Sequence, residues 1–125
     1  MSNTNKMKAI LINAKANTVR FVEVGEYTDI YKHCGYETFT TVSLGGGETL
    51  YVDDEGLMNG TDFGFELEGY DHPLMGNGLI LGCNLNNGES VDTALSLEDV
   101  ARKVQCFKRP EGFSMFVRMA GPRLG

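Results

Sequence analysis

The sequence predicts a single α+β domain, in which a mainly antiparallel sheet of about five or six strands is packed by one C-terminal helix and one short helix. The chain has 125 residues, which is the size of one domain. Short apolar, β-branched runs alternate with turns rich in Gly, Asn and Asp, a pattern typical of antiparallel strands. One segment near the C-terminus has apolar residues at helical spacing. We expect this domain to cover residues 7–125 and a flexible extension to cover residues 1–6.

The first elements are two strands and a short helix. Lys8–Asn13 is apolar on both faces, which predicts an interior strand. Val19–Val24 is rich in β-branched residues and follows the polar stretch Ala14–Thr18, so the two runs predict a hairpin. Tyr27–Cys34 predicts a helix of about two turns, because a capping residue lies near its start and a glycine follows its end.

The middle of the chain predicts a second hairpin and one buried strand. Thr38–Leu44 and Thr49–Asp53 flank the glycines Gly45–Gly47, as strands flank a hairpin turn. Residues 57–78 contain many glycines and no clear period, so the sequence assigns them no structure. Leu79–Cys83 is a short apolar run that predicts a buried strand.

The strongest local prediction is a helix over Leu97–Lys108. Ser96 is a good N-cap residue, and apolar residues recur at positions that form one helical stripe: Leu97, Val100, Ala101, Val104 and Phe107. After this helix, Phe113–Met119 alternates between apolar and other residues, which predicts a final strand with Phe116 exposed or at an interface.

Charge is strongly segregated along the chain. The net charge is −6, yet residues 33–101 contain thirteen acidic residues and no Lys or Arg, whereas residues 102–125 contain six basic residues and one acidic residue. This pattern favours packing of the basic C-terminal segment beside the acidic middle, within a subunit or between subunits. The alternatives are an anion site built from the C-terminal cations, or an acidic face that engages a basic partner.

Composition excludes several classes of protein. No apolar run approaches the ~18 residues of a membrane span, so we expect a soluble, cytoplasmic protein without a membrane partner. The three cysteines and two histidines lack zinc-ligand spacing, and no cofactor is expected. No nucleophile–base motif is present, which favours a non-enzymatic protein over an enzyme. An acidic protein is also a poor binder of duplex nucleic acid.

Two groups of residues are candidates for sites. Rings and cations interleave in the C-terminal segment, as in surfaces that stack bases, and a nucleotide-sized anion fits them best. The ligand-binding candidates are Arg109, Phe116, Arg118 and Arg123. The weaker alternative is a divalent cation held by carboxylates. Its candidates are Asp53, Asp54 and Asp62.

Four segments together resemble a family known as domain of unknown function 3846, which occurs in bacteriophages and bacteria. They are Met7–Ile12, Leu50–Leu57, Gly78–Gly82 and Leu95–Val100, and the resemblance covers roughly Met7–Lys103. It implies a phage or prophage origin and, by association, an accessory factor acting on host systems. No catalytic residue is implied by it.

The leading hypothesis is therefore a small phage-type accessory protein, non-enzymatic and homo-oligomeric, in the host cell cytoplasm. It would bind an anionic small ligand such as a nucleotide, or a host factor. One alternative is an acidic decoy for a host nucleic-acid-binding protein. The other is a metal-dependent hydrolase.

Overall fold

The structure is a computed structural model that describes residues 6–25, 29, 39–53, 62–70, 73–84, 86, 89–108 and 117–125. Within these ranges the chain forms eleven strands and one helix. In chain order they are β1 (Met7–Asn13), β2 (Thr18–Val24), β3 (Phe39–Gly45), β4 (Glu48–Asp53), β5 (Phe63–Leu67), β6 (Leu74–Met75), β7 (Gly78–Cys83), β8 (Ser90–Val91), α1 (Leu97–Lys103), β9 (Val104–Lys108), β10 (Val117–Arg118) and β11 (Arg123–Leu124).

The larger sheet has seven strands among the described residues, in the order β11-β2-β1-β7-β4-β3, with β8 also paired to β7. Its pairs are antiparallel except that β11 runs parallel to β2. β1 lies between β2 and β7, so the predicted interior strand is confirmed. Both predicted hairpins, β1–β2 and β3–β4, are confirmed as well.

The second sheet has four strands among the described residues, in the order β10-β9-β5-β6, and all of its pairs are antiparallel. β5 and β6 come from the part of the chain to which the sequence assigned no structure. β5 pairs with β9 over five consecutive positions, from Phe63↔Lys108 to Leu67↔Val104. The single sheet of five or six strands predicted from the sequence is therefore wrong, and the described residues form a mainly β protein with two sheets.

The main core lies between the two sheets and the helix. Its buried side chains come from the larger sheet, the smaller sheet and α1, and include Ile10, Ile12, Leu50, Ile80, Phe65, Val104, Cys106 and Val100. The opposite face of the larger sheet also buries apolar side chains, among them Ala9, Leu11, Val22, Tyr51 and Leu79. Because side chains alternate along a strand, β1 contributes to both clusters, which explains why its sequence is apolar throughout.

The helix begins where the sequence predicts and ends earlier. Ser96 is the N-cap, and its Oγ accepts a hydrogen bond from the Asp99 backbone N–H at 3.1 Å. The helix ends at Lys103 rather than Lys108, because Val104–Lys108 leaves the helix to become β9. Tertiary pairing with β5 thus overrides a helical pattern that these residues also satisfy.

Several predictions fall wholly or partly outside the described residues. Of the predicted helix Tyr27–Cys34 only Asp29 is described, and of the predicted extension only Lys6. Of the predicted final strand Phe113–Met119, the structure describes β10 and Met119.

The second sheet requires a glycine where β5 meets its neighbours. A Cβ atom added at Gly64 would lie 2.4 Å from the Leu74 carbonyl oxygen and 2.7 Å from Cζ of Phe107. We expect Gly64→Ala to lower the free energy of unfolding by about 1–3 kcal/mol, since backbone and a buried ring must move. Urea unfolding measures the change. Gly121→Ala is the control, because a Cβ there meets open space; equal stability of the two variants would contradict the packing described.

Candidate anion-binding site

The turn between β1 and β2 carries a lysine on a fixed backbone. The turn spans Ala14–Asn17. The Asn13 side-chain oxygen accepts a hydrogen bond from the Ala16 N–H at 2.9 Å. Asn17 adopts a φ of 56°, a left-handed conformation that asparagine tolerates better than most residues. These contacts hold Lys15 at the tip of the hairpin.

Lys15 meets an aromatic ring and a second lysine there. Its Nζ lies 5.9 Å from the ring centroid of Phe63, and Nζ of Lys108 lies 5.8 Å from the same centroid. Phe63 begins β5 and Lys108 ends β9, and the two residues are directly opposite in the ladder. Two ammonium groups from the two different sheets therefore approach one ring.

Both ammonium groups can reorient toward a ligand. Each lies near the outer limit of about 6 Å for a cation–π contact, so the ring holds it weakly. The Lys15 and Lys108 side chains are exposed, whereas Phe63 is partly buried against the core. Among the described residues, no carboxylate forms an ion pair with either lysine. Two cations beside one partly exposed ring are groups that an anion with a planar ring can contact.

A third cation lies at the same turn. Arg123, in β11, donates from Nη2 to the Ala16 carbonyl oxygen at 3.4 Å, and its backbone N–H donates to the Asn17 carbonyl oxygen at 2.9 Å. We call the group formed by Lys15, Phe63, Lys108 and Arg123 the basic cluster. Its members come from four separate strands or turns.

Arg118 lies elsewhere and is paired. Its Nε donates to Oε1 of Glu66 at 2.8 Å and its Nη2 to Oε2 at 3.3 Å, a two-pronged contact between β10 and β5. The hydrogen bonds and the charge of Glu66 raise the pKa of the Arg118 guanidinium. The basic C-terminal segment thus packs beside the acidic middle within one chain, as the charge pattern predicts. Of the four predicted ligand-binding residues, only Arg123 lies in the basic cluster among those described.

Arg109 and Phe116 lie outside the described residues. Their assignment to a ligand site stays a prediction. The homo-oligomer expected from an exposed Phe116 also stays a prediction.

The structure describes the predicted carboxylates only in part. Asp53 is the last residue of β4 in one sheet, Asp62 directly precedes β5 in the other, and Asp54 lies outside the described residues. In the described ranges, no three His, Cys, Asp or Glu side chains are grouped so that they could hold a metal ion.

Sequence reasoning identified part of the basic cluster. Interleaving of rings and cations after Phe107 indicated the region of Lys108 and Arg123. Nothing local connects Lys15 with Phe63, because their proximity depends on how one hairpin turn sits against the second sheet. Phe63 itself lies in the part of the chain that has no clear period.

The fold is that of a mainly β protein whose two sheets meet at this cluster. A family profile described as Domain of unknown function (DUF3846) matches residues 7–106, and the chain belongs to this family. The match includes Lys15 and Phe63 and ends two residues before Lys108. Comparisons with curated proteins and with solved structures found no match. In the part of the chain that is described, no helix is long and apolar enough to cross a membrane.

Cysteine reactivity tests whether Val104–Lys108 forms the strand β9 rather than a continuation of the helix. Cys106 is fully buried in β9, and burial raises the pKa of its thiol to about 11, whereas Cys83 is partly exposed. At pH 8 we expect iodoacetamide to label Cys83 and to leave Cys106 unmodified until urea unfolds the chain, since the thiolate is the nucleophile. Peptide mass spectrometry measures the fraction of each cysteine that iodoacetamide has modified.

A helix continued through Lys108 would place Cys106 on the face opposite the apolar stripe, since each helical residue turns by about 100°. Labelling of Cys106 in the native protein as fast as that of Cys83 would therefore contradict β9.

Proposed function

We propose that this protein is a non-enzymatic binding protein for a small anion that carries a planar ring, such as a nucleotide, and that the basic cluster is its binding site. The observation that carries the proposal is the approach to the one ring of Phe63 of two ammonium groups, those of Lys15 and Lys108, that form no ion pair with any described residue. The site differs from the one predicted from the sequence, while the ligand class is the same.

The cluster has the parts that a nucleotide requires. A base can stack on Phe63 when a lysine swings away, and stacking on an aromatic side chain contributes about 1–3 kcal/mol. The released ammonium groups can then donate to phosphate oxygens, and hydrogen bonds to charged groups contribute about 1.5–3 kcal/mol each. The planar guanidinium of Arg123 can bind a phosphate with two parallel hydrogen bonds.

The chemistry of the cluster favours binding over catalysis. Its four members are three cations and a hydrocarbon ring, and they include no carboxylate, imidazole or thiol that could serve as a general base. In a phage-type accessory protein, such a site would serve to sequester a nucleotide inside the host cell. Sequestration requires affinity alone, and it matches a chain without a nucleophile–base motif.

The acidic-decoy hypothesis has less support from the described residues. Several carboxylates of the acidic middle accept hydrogen bonds within the chain, which leaves them fewer acceptor sites for a partner. Hydrogen bonds from Ser96 and Arg102 lower the pKa of Asp99, and Glu66 binds Arg118. Asp92 accepts from the Lys8 backbone N–H, and Glu48 is buried.

Titration with a fluorescent ATP analogue, competed by ATP and by pyrophosphate, tests the proposal. We expect Lys15→Ala and Lys108→Ala each to weaken ATP binding about tenfold, the loss of one charged hydrogen bond. Phe63→Leu should weaken ATP binding and leave pyrophosphate binding unchanged, since only ATP stacks. Affinity should fall as salt is added, because exposed charges are screened.

Lys103→Ala is the matched control, since Lys103 is an exposed lysine on α1 outside the cluster. The proposal is wrong if the wild-type protein binds no nucleotide at millimolar concentration. It is equally wrong if the Lys15→Ala, Lys108→Ala double variant binds ATP as the wild type does.

A further inference from the structure

A cavity lies away from the basic cluster, at the other end of β7. β7 runs from Gly78, opposite Ile12 and close to the β1–β2 turn, to the end at which Gly82 pairs with Glu48. The cavity has a volume of about 100 Å³ and lies between the β3–β4 turn, the end of β5 and α1. Its apolar lining is formed by Leu44, Leu67, Ile80, Leu95 and Val100.

The cavity contains one buried carboxylate, that of Glu48. The residue is only 6% exposed, and it lines the cavity together with Glu68 and Lys103, which are exposed and lie at the rim. On β7 the strand partner of Glu48 is Gly82, which has no side chain to compete for space. A Cβ there would lie 2.3 Å from the Asp92 carbonyl oxygen, so the position admits no larger residue without a shift.

Neutral donors hold the carboxylate in place. The Thr93 hydroxyl donates to Oε1 at 2.6 Å, and the Ala94 N–H donates to Oε2 at 2.9 Å. Thr93 is itself buried, and its Oγ1 accepts from the Leu95 N–H at 3.2 Å. The side chain of Glu48 is therefore fixed before any ligand arrives.

Its charge has no cationic partner among the described residues. Lys103, which is the one basic residue among the described residues of the lining, forms no ion pair with Glu48. A carboxylate has about four acceptor sites, of which Thr93 and Ala94 occupy two. A buried charge without a counter-ion is costly, so a cation that enters the cavity gains from both the charge and the open acceptor sites.

We propose that this cavity binds a small organic cation, a primary alkylammonium, with its ammonium group on Glu48 and its alkyl chain among Leu67, Ile80 and Val100. The size fits, since an apolar cavity of about 150 Å³ admits benzene and one of about two-thirds that volume holds about four or five heavy atoms. The ligand has the opposite charge to the one proposed for the basic cluster, so the two proposals stand or fall separately.

Calorimetric titration with n-butylammonium, compared with n-butanol, tests this proposal. The two molecules have nearly the same shape, and only the first carries a charge. We expect saturable binding of n-butylammonium and at least tenfold weaker binding of n-butanol. Lys103→Met should strengthen n-butylammonium binding severalfold, because it removes a competing positive charge at the rim.

Three variants separate binding from folding. Glu48→Gln removes the charge and should weaken n-butylammonium binding at least tenfold. Leu44→Phe fills the cavity and leaves Glu48 intact, so it should abolish n-butylammonium binding. This variant still tests the proposal if Glu48→Gln fails to fold. Glu98→Gln is the matched control, since it removes an exposed carboxylate on α1 that does not line the cavity, and it should retain binding.

Three results would overturn the proposal. The first is n-butanol binding as tightly as n-butylammonium. The second is unchanged n-butylammonium binding in folded Glu48→Gln or Leu44→Phe. The third is no binding of n-butylammonium to the wild-type protein.

Discussion

Pairing of β5 with β9 is the interaction on which the rest of the structure depends. The five-residue ladder builds the centre of the smaller sheet, and that sheet covers the main core of the larger one. Phe65, Leu67, Val104 and Cys106 face the core from these two strands. Gly64 permits the close approach of Phe107 and β6 on the ladder's other side. The same register sets Phe63 opposite Lys108, so the packing that closes the core also creates one half of the basic cluster.

The other half of the cluster is contributed by the β1–β2 hairpin. β1 is buried on both faces and lies between two neighbours, so its position in the fold is strongly determined. Its turn carries Lys15 toward Phe63 and accepts Arg123 from β11. The C-terminal residues are thus fixed at both ends of their described range, by the Glu66–Arg118 ion pair and by the parallel pairing of β11 with β2. Charge segregation in the sequence is partly resolved within one chain by the Glu66–Arg118 ion pair, whereas Lys15 and Lys108 form no ion pair with a described carboxylate.

Sequence patterns predicted the elements whose signals are local. β1, β2, β4 and β7 have continuous apolar or β-branched runs, and the N-cap at Ser96 marks the start of α1. β9 was assigned to the helix because Val104 and Phe107 fit a helical stripe as well as a strand. Only its non-local pairing with β5 distinguishes the two. The sequence does not predict β5, because glycines interrupt the apolar alternation that is typical of a strand. One of these glycines, Gly64, is the residue that allows the sheet to pack.

The sequence predicts the class of ligand that we propose but only one described residue of the proposed site. Rings interleaved with cations indicated an anion-binding surface near the C-terminus, and Arg123 does lie in the basic cluster. Arg118 forms an ion pair with Glu66 instead. The two residues come within reach of each other because β10 and β5 both pair with β9. Lys15 and Glu48 gave no sequence signal, since each acquires its role from a turn placed against a distant segment.

Hydrogen–deuterium exchange with and without ATP tests most directly the claim that the two sheets create the binding site between the β1–β2 turn and the β5–β9 ladder. The account predicts slower exchange at residues 14–17, at the start of β5 and at the end of β9. It also predicts no change in α1 or around Glu48. Slower exchange confined to regions outside the basic cluster, or no change anywhere at saturating ATP, would contradict it.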